Sequence, residues 1–411
     1  MKEYLRFLYR CFRVSFVGDW RYHTWMLVLS VLALLGLNAY AQQLAHGLAV
    51  TGMTDQVSWG MYIANFTFLV GMAAAAVMLV IPVYLYKNKE LHDLVIFGEL
   101  LAVASILMCL MFVTVDLGRP DRFMHLIQRF NFPDSMLAWD VIVLNGYLLL
   151  NLHICGYLIY CAYRGRKPSK AFYIPFVFVA IVWAVSIHTV TAFLYAGLGG
   201  RPFWNSAVLA PRFLASAFAA GPAFLILTLR IIGTQTSYRV PPKALDTLRK
   251  IVTVALAINL FLLAAEVFTE FYTDSAHAVS AQYLFLGLHG KHGLVPWIWS
   301  AIALNVAALT VLFLPPLAHP AGWQNFACVA MIIGIWIEKG MGLIVPAFIP
   351  TPIGELVEYT PSLQETLICL GIWAAGLLLY TIFVRVTIPV LSGRLTVDRE
   401  YEFPSPAQTP Q

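Results

Sequence analysis

Between Trp59 and Tyr86 the chain runs through 28 residues without one Asp, Glu, Lys or Arg. Residues 141–163 and 171–200 are equally free of those four types. A bilayer core is crossed by about 20 apolar residues wound as a helix. A chain that repeats such runs cannot place them all in one water-soluble core. Ten apolar segments can be marked, at 25–42, 59–86, 94–115, 136–163, 172–197, 207–233, 250–271, 294–315, 323–345 and 363–390. The strands of a membrane barrel would alternate in polarity; these runs are continuous, so they predict an all-α integral membrane protein with ten transmembrane helices. The hydropathy permits two packed four-helix bundles plus two extra helices. Composition agrees, with 60% hydrophobic and 11% charged residues against about 45–50% and about 25% in soluble domains. That excludes a disordered chain and a nucleic-acid binder.

The first segment has a rival reading. It follows a basic stretch and ends in Ala39-Tyr40-Ala41, which mimics a signal-peptide cleavage site. The long basic region before it favours a retained helix. Six cysteines are present, none in a C-x-x-C pair, and most fall inside apolar runs, where Cys acts as a small hydrophobe. No disulfide framework, metal site or iron–sulfur ligation is expected.

Alternating the loops from side to side separates the 26 Lys and Arg residues unequally. Nineteen fall on the side of both termini, including Arg6, Arg10, Arg13, Arg164, Lys167 and Arg239. Six fall opposite: Arg119, Arg122, Arg129, Arg201, Arg212 and Lys291. Lys339 remains inside a span. Positive loops stay in the cytoplasm, so both termini are expected there, with residues 1–24 and 391–411 as cytoplasmic segments. No loop is long enough to fold by itself, and residues 1–411 read as a single membrane domain.

An ionisable side chain within a span is costly and is a functional hypothesis by default. With this orientation, Asp116, Asp140, His188, Glu266, Glu270, Glu338 and Lys339 lie in the outer half, as do Trp59, Tyr62 and Asn65. Glu99 and His153 lie toward the cytoplasm. A transporter would gather such groups near the midplane; a lipid-borne substrate with its polar headgroup at one interface fits better. Each residue also has a plainer role. Glu266 and Glu270, one helical turn apart, suit a proton carrier or an Arg or Lys partner from another helix. Glu338 and Lys339 point about 100° apart on a regular helix and need separate partners, as helix ties would. Asn65 and Tyr62 share a face, and Asn often serves as interhelical glue. His188 suits hydrogen bonding to a ligand or to a neighbouring helix. Its lack of matched His partners argues against haem. Asp116 and Arg119 are spaced to pair in the turn between them.

Asp116-Leu117-Gly118-Arg119-Pro120-Asp121-Arg122-Phe123 resembles the signature of the NrfD/PsrC family of quinone-interacting membrane subunits. The likeness extends to Ser58-Trp59-Gly60-Met61-Tyr62-Ile63-Ala64-Asn65, to 68–74, and to Ser135-Met136-Leu137-Ala138-Trp139-Asp140. Residues 186–195, 201–205 and Ile335-Trp336-Ile337-Glu338-Lys339-Gly340 are similar to the branch found in the Dsr membrane complex of dissimilatory sulfite reduction. The resemblance implies a subunit without haem, metal or iron–sulfur cluster of its own. It would bind menaquinone or menaquinol near the outer leaflet of a bacterial or archaeal inner membrane. It would exchange electrons with a periplasmic ferredoxin-like iron–sulfur subunit. The Dsr branch adds a membrane b-type cytochrome subunit, a cytoplasmic iron–sulfur catalytic subunit and a periplasmic c-type cytochrome. The shorter polysulfide-reductase type has a His one turn after its first core Asn, where Phe66 stands here; that puts the details of the quinone contacts in doubt.

The quinone headgroup is therefore expected between spans 2 and 5, near His188, Asp140, Asp116, Tyr62, Asn65 and Trp139. Glu99, Glu266, Glu270, Glu338 and Lys339 are assigned to proton transfer. Arg119, Arg122, Arg201 and His292 are assigned to the partner interface. A proton or solute transporter and a structural anchor are the rival functions.

Overall fold

The computed structural model describes residues 2–73, 75–88, 90–236, 238–273 and 278–401. The end of the C-terminal segment, 402–411, lies outside them. Among the described residues, ten helices are long and apolar enough to cross a membrane, one for each apolar segment. A short helix α1 (Lys2–Ser15) precedes the first span, α2 (Trp20–His46). The second span comprises α3 (Met61–Ala73) and α4 (Ala75–Tyr84); the third is α5 (Val95–Asp116). After the short α6 (Phe123–Gln128) come α7 (Met136–Tyr163), α8 (Lys170–Ala196), α9 (Leu209–Gln235) and α10 (Pro242–Thr273). Short α11 (Ala278–Phe285) leads to α12 (Val295–Phe313), and α13 (Pro315–Ala318) to α14 (Ala321–Trp336). The ninth span continues through a π-helical turn, Ile337–Met341, into α15 (Gly342–Ile344) and the 3₁₀ turn Val345–Phe348. The last span is α16 (Leu363–Leu391).

Local chemistry sets the ends of these helices. Asp19 accepts from the Tyr22 amide at 3.0 Å and caps α2, satisfying a donor that the first turn leaves open. α2 ends at Gly47, whose φ of 73° is cheap only for glycine. Ser362 and Glu365 form a reciprocal capping box on α16. The first and seventh spans run beyond the apolar segments read from sequence, because Trp20–Thr24 and Pro242–Arg249 continue the helix without being apolar.

Packing sorts the spans. α3, α5, α7 and α8 contact one another, and so do α9, α10, α12 and α14; α2 packs mainly on α16, which leans on α5. α3 also meets α9 and the π-helical turn, joining the two groups. At the α2–α16 contact, a Cβ built on Gly371 would lie 2.6 Å from the Gly36 Cα. Two glycines let these backbones touch, as small residues do between membrane helices. The first and last described residues, Lys2 and Tyr401, and the loops after α4, α7, α9 and α12 lie at one end of the helices. The loops that follow α2, α5, α8, α10 and the ninth span lie at the other, here termed the loop end.

Candidate functional site

α3 carries Tyr62 and Asn65 into the interior, and both are buried. The Tyr62 hydroxyl donates to Gln43 Oε1 at 2.6 Å, and Gln43 Nε2 donates to the Val115 carbonyl at 2.6 Å. Asn65 Oδ1 accepts from Trp336 Nε1 at 3.0 Å and Trp373 Nε1 at 2.8 Å. Its Nδ2 donates to the Met61 carbonyl at 2.8 Å. Asn65 thus ties α3 to α14 and α16. Asp116, at the end of α5, has a buried Oδ1 without a hydrogen-bond partner. It does not pair with Arg119, contrary to what their spacing predicts. Leu117 is extended (ψ 122°) and carries the backbone away, and Arg119 makes two bonds to Asp121 instead, at 3.0 and 2.9 Å. The buried Glu365 lies near Asp116 and accepts from the Tyr359 hydroxyl at 2.7 Å. Burial and this carboxylate push the Tyr359 phenol up from its ordinary value, so it remains a donor.

Asp140 and His188 sit on the facing sides of α7 and α8. Thr191 donates to Asp140 Oδ1 at 2.7 Å, and Tyr195 pairs with Thr67 on α3. His188 is wholly buried, with Nδ1 2.7 Å from the Ala184 carbonyl. A carbonyl only accepts, so Nδ1 carries the proton and Nε2 is an acceptor. Nε2 is buried and makes no hydrogen bond of ordinary geometry; the Gly71 backbone lies within reach of the ring, and Lys339 is near it. Toward the loop end, Trp59 stacks on Trp204 at 5.6 Å, with Tyr195 and Phe348 packed around them. Trp204 donates to the Leu343 carbonyl at 2.8 Å.

A second cluster belongs to the later spans. Arg212 bonds Glu266 on one side and Glu338 on the other, the latter at 3.0 Å. Asn305 donates to Glu338 Oε2 at 2.8 Å, and Asn259 Nδ2 reaches both carboxylate oxygens at 3.2 Å. Glu338 and Lys339 lie in the π-helical turn, a feature that often re-aims side chains at functional sites. They do take separate partners. Lys339 Nζ donates to the Phe213 carbonyl at 3.1 Å and lies 3.9 Å over the Phe213 ring. A crevice with room for about one water is lined by Arg212, Ser216, Glu338 and Lys339 among others. Glu270 is buried one turn beyond Glu266.

Glu99 is buried apart from both clusters, accepting from the Cys155 thiol at 3.3 Å. A similarly small crevice beside it is lined by Tyr147 and Asn151. His153 packs against Phe176 at 4.4 Å on the outer side of α7. Trp139 also faces outward, 4.5 Å from the Phe132 ring, with its indole donating to the Pro133 carbonyl; it does not share the interior with Asp140. Arg119, Arg122 and His292 are exposed at the loop end. Arg201 lies 4.2 Å over the Phe348 ring, and burial there lowers its pKa.

Of the residues singled out from sequence, the structure therefore brings His188 and Lys339 together, and sets Glu266 and Glu338 on one guanidinium. Arg212 counts with the loops when basic residues are sorted by side, yet it lies in the first turns of α9 and is buried. Its position inside apolar segment 207–233 is the signal that points to this. Asn259, Asn305, Gln43 and Thr191 carry no such signal, because neutral polar residues are common in spans.

The family model described as "Polysulphide reductase, NrfD" matches residues 49–348. The chain is 23% identical over 375 residues to the Hdr-like menaquinol oxidoreductase integral membrane subunit of Archaeoglobus fulgidus, an alignment spanning 88% of this protein and 92% of that one. It is 26% identical over 332 residues to a putative dimethyl sulfoxide reductase membrane subunit of Halobacterium salinarum, spanning 76% and 75%. It is 27% identical over 200 residues to a polysulfide reductase chain of Wolinella succinogenes, spanning 44% and 62%.

Proposed function

The chain belongs to the NrfD family, and on that premise we propose that it is the quinone-reacting membrane subunit of a multi-subunit oxidoreductase. It binds menaquinol or menaquinone at the loop end, beside α3, α7 and α8, and exchanges electrons with an iron–sulfur subunit docked on that end. The observation that carries this reading is His188: a wholly buried ring beside Lys339 whose Nε2 makes no hydrogen bond of ordinary geometry, with the Gly71 backbone close to it. A quinol hydroxyl is a donor that would satisfy it, and oxidation requires a base at that proton. Asp140, steadied by Thr191, and Asp116, with its unbonded Oδ1, are acceptors for the second hydroxyl, with Tyr62 and Asn65 fixing the α3 wall.

Quinol oxidation releases two electrons and two protons. The electrons pass to the iron–sulfur partner, for which Arg119, Arg122, Arg201 and His292 form the contact surface. Lys339, next to His188, links this site to Glu338, Glu266 and Glu270, which serve proton transfer; Glu99 serves it from the opposite end. The relatives' names support a redox complex. The likeness of 186–195 and 335–340 to the Dsr branch supports sulfur metabolism, with a membrane b-type cytochrome, a cytoplasmic iron–sulfur catalytic subunit and a periplasmic c-type cytochrome as further partners. The loop end then faces the periplasm of a bacterial or archaeal inner membrane.

The test is quinol-dependent reduction of the iron–sulfur partner by an intact complex carrying His188→Ala. Turnover should fall about 10²–10⁴-fold, the contribution of a positioned base, with assembly retained. Near-normal turnover would move the site away from His188.

A further inference from the structure

α1 has three distinct faces. Phe7 and Val14 turn inward and are buried, with Phe7 4.9 Å from the Tyr163 ring. Leu5, Leu8, Tyr9 and Phe12 recur at helical spacings of three and four and are all exposed, Phe12 by 63%, as is Phe16 in the turn just after α1, by 65%. Lys2 and Arg6 follow one another along the remaining edge and are exposed as well; Arg13 continues that edge, paired there with Glu400 at 3.6 Å.

The helix is held in this orientation along its length. Glu3 pairs with Arg164 at 3.1 Å. Arg10 donates to the Tyr163 hydroxyl at 3.0 Å and to the Thr396 and Val397 carbonyls at 2.8 Å. The Ser15 carbonyl accepts from Tyr22 at 2.6 Å. Every one of these partners belongs to the end of the spans where the first and last described residues lie. α1 therefore lies across that end and does not extend a span. Its apolar face is fixed outward, away from the buried Phe7 and Val14, and the chain passes directly into α2 at Trp20, 72% exposed, a residue type that concentrates at membrane interfaces.

We propose that α1 is an in-plane membrane helix whose apolar face enters the acyl region at the termini end and whose basic edge binds anionic phospholipid headgroups. The occupant follows from continuity and charge. The bilayer must surround α2, whose exposed Leu27, Val28 and Val31 need it, and α1 is joined to the first turn of that span, where Tyr22 donates to the Ser15 carbonyl. An amphipathic helix with Lys and Arg on one edge and large apolar residues on the other is the form that buries into a headgroup boundary. Basic residues at such a surface attract anionic lipids.

The full chain is reconstituted in nanodiscs of phosphatidylcholine and phosphatidylglycerol in equal parts. Retained lipid is read by native mass spectrometry, and hydrogen exchange is followed over residues 2–15. Lys2→Gln with Arg6→Gln should lower the preference for phosphatidylglycerol on the order of tenfold. Leu8→Glu with Phe12→Glu should speed exchange across α1. Both pairs are surface residues without a protein hydrogen bond in α1's anchoring set, so unchanged elution on size exclusion checks the fold. An unchanged lipid preference in the Lys2/Arg6 variant overturns the proposal. So does slow exchange that persists in the native complex after delipidation, which would show that this face is covered by a protein partner.

Discussion

A guanidinium inside a membrane protein persists only where its donors meet acceptors and its charge meets an opposite one. Arg212 meets both conditions through Glu266 and Glu338, and Asn259 and Asn305 supply Glu338 with further donors. Gly334 makes room for this arrangement, since a Cβ there would collide with Asn305. Breaking such a pair costs more than the pair itself contributes, because it strands a buried charge. Arg212→Met should therefore destabilise the purified protein by about 3–5 kcal/mol, read as a lower thermal midpoint in detergent. Glu266→Gln, which keeps an acceptor facing Arg212, should cost distinctly less. Equal midpoints for Arg212→Met and the native chain would mean that the cluster does not hold α9, α10 and the ninth span together. At this scale the sequence announces the charged members but not their partnerships. Glu338 and Glu266 are legible as costly residues; that a single arginine 126 positions from Glu338 joins them depends on helix packing that no local spacing encodes.

Helices, by contrast, are legible almost to their ends. Uninterrupted apolar runs leave the backbone no alternative in lipid, so each expected segment has its helix. What periodicity does not carry is irregularity within a span. The π-helical turn at Ile337–Met341 departs from the regular spacing assumed for Glu338 and Lys339, and it lets one residue face the later helices while the other reaches toward His188. Nor does hydropathy say that α2 belongs with α16. That contact rests on Gly36 and Gly371, whose backbones touch, and a glycine pair gives no hydropathy signal of its own. Gly371→Leu would push the two helices apart, and such overpacking costs about 1–3 kcal/mol. The expected result is a lower midpoint together with faster proteolysis around residues 47–60, where α2 hands over to α3. Native protease resistance in the variant would show that the first span is held by its other contacts.

For the molecule as a whole, the distribution of charge between its two ends decides which way it faces. Once Arg212 is recognised as a buried member of α9, the basic residues left in the loop end are Arg119, Arg122, Arg129, Arg201 and Lys291, against nineteen at the other end. Basic loops are retained in the cytoplasm during insertion, so the correction sharpens the bias. The loop end also collects His188, Asp140, Asp116 and the Trp59–Trp204 stack, so orientation fixes the compartment from which the proposed electron-transfer partner would approach. Both termini should therefore be cytoplasmic and loops 117–135 and 197–208 periplasmic. Fusions of alkaline phosphatase, active only after export, should be inactive at Gln411 and active when inserted near Gly199. Fusions of a fluorescent protein that matures only in the cytoplasm should give the reverse. An exported C-terminus would invert the whole assignment, placing the proposed His188 site and its proposed electron acceptor on the cytoplasmic side. Exchanging Arg164, Arg166 and Lys167 for Gln should leave the orientation unchanged, because the other basic residues at that end outnumber those opposite.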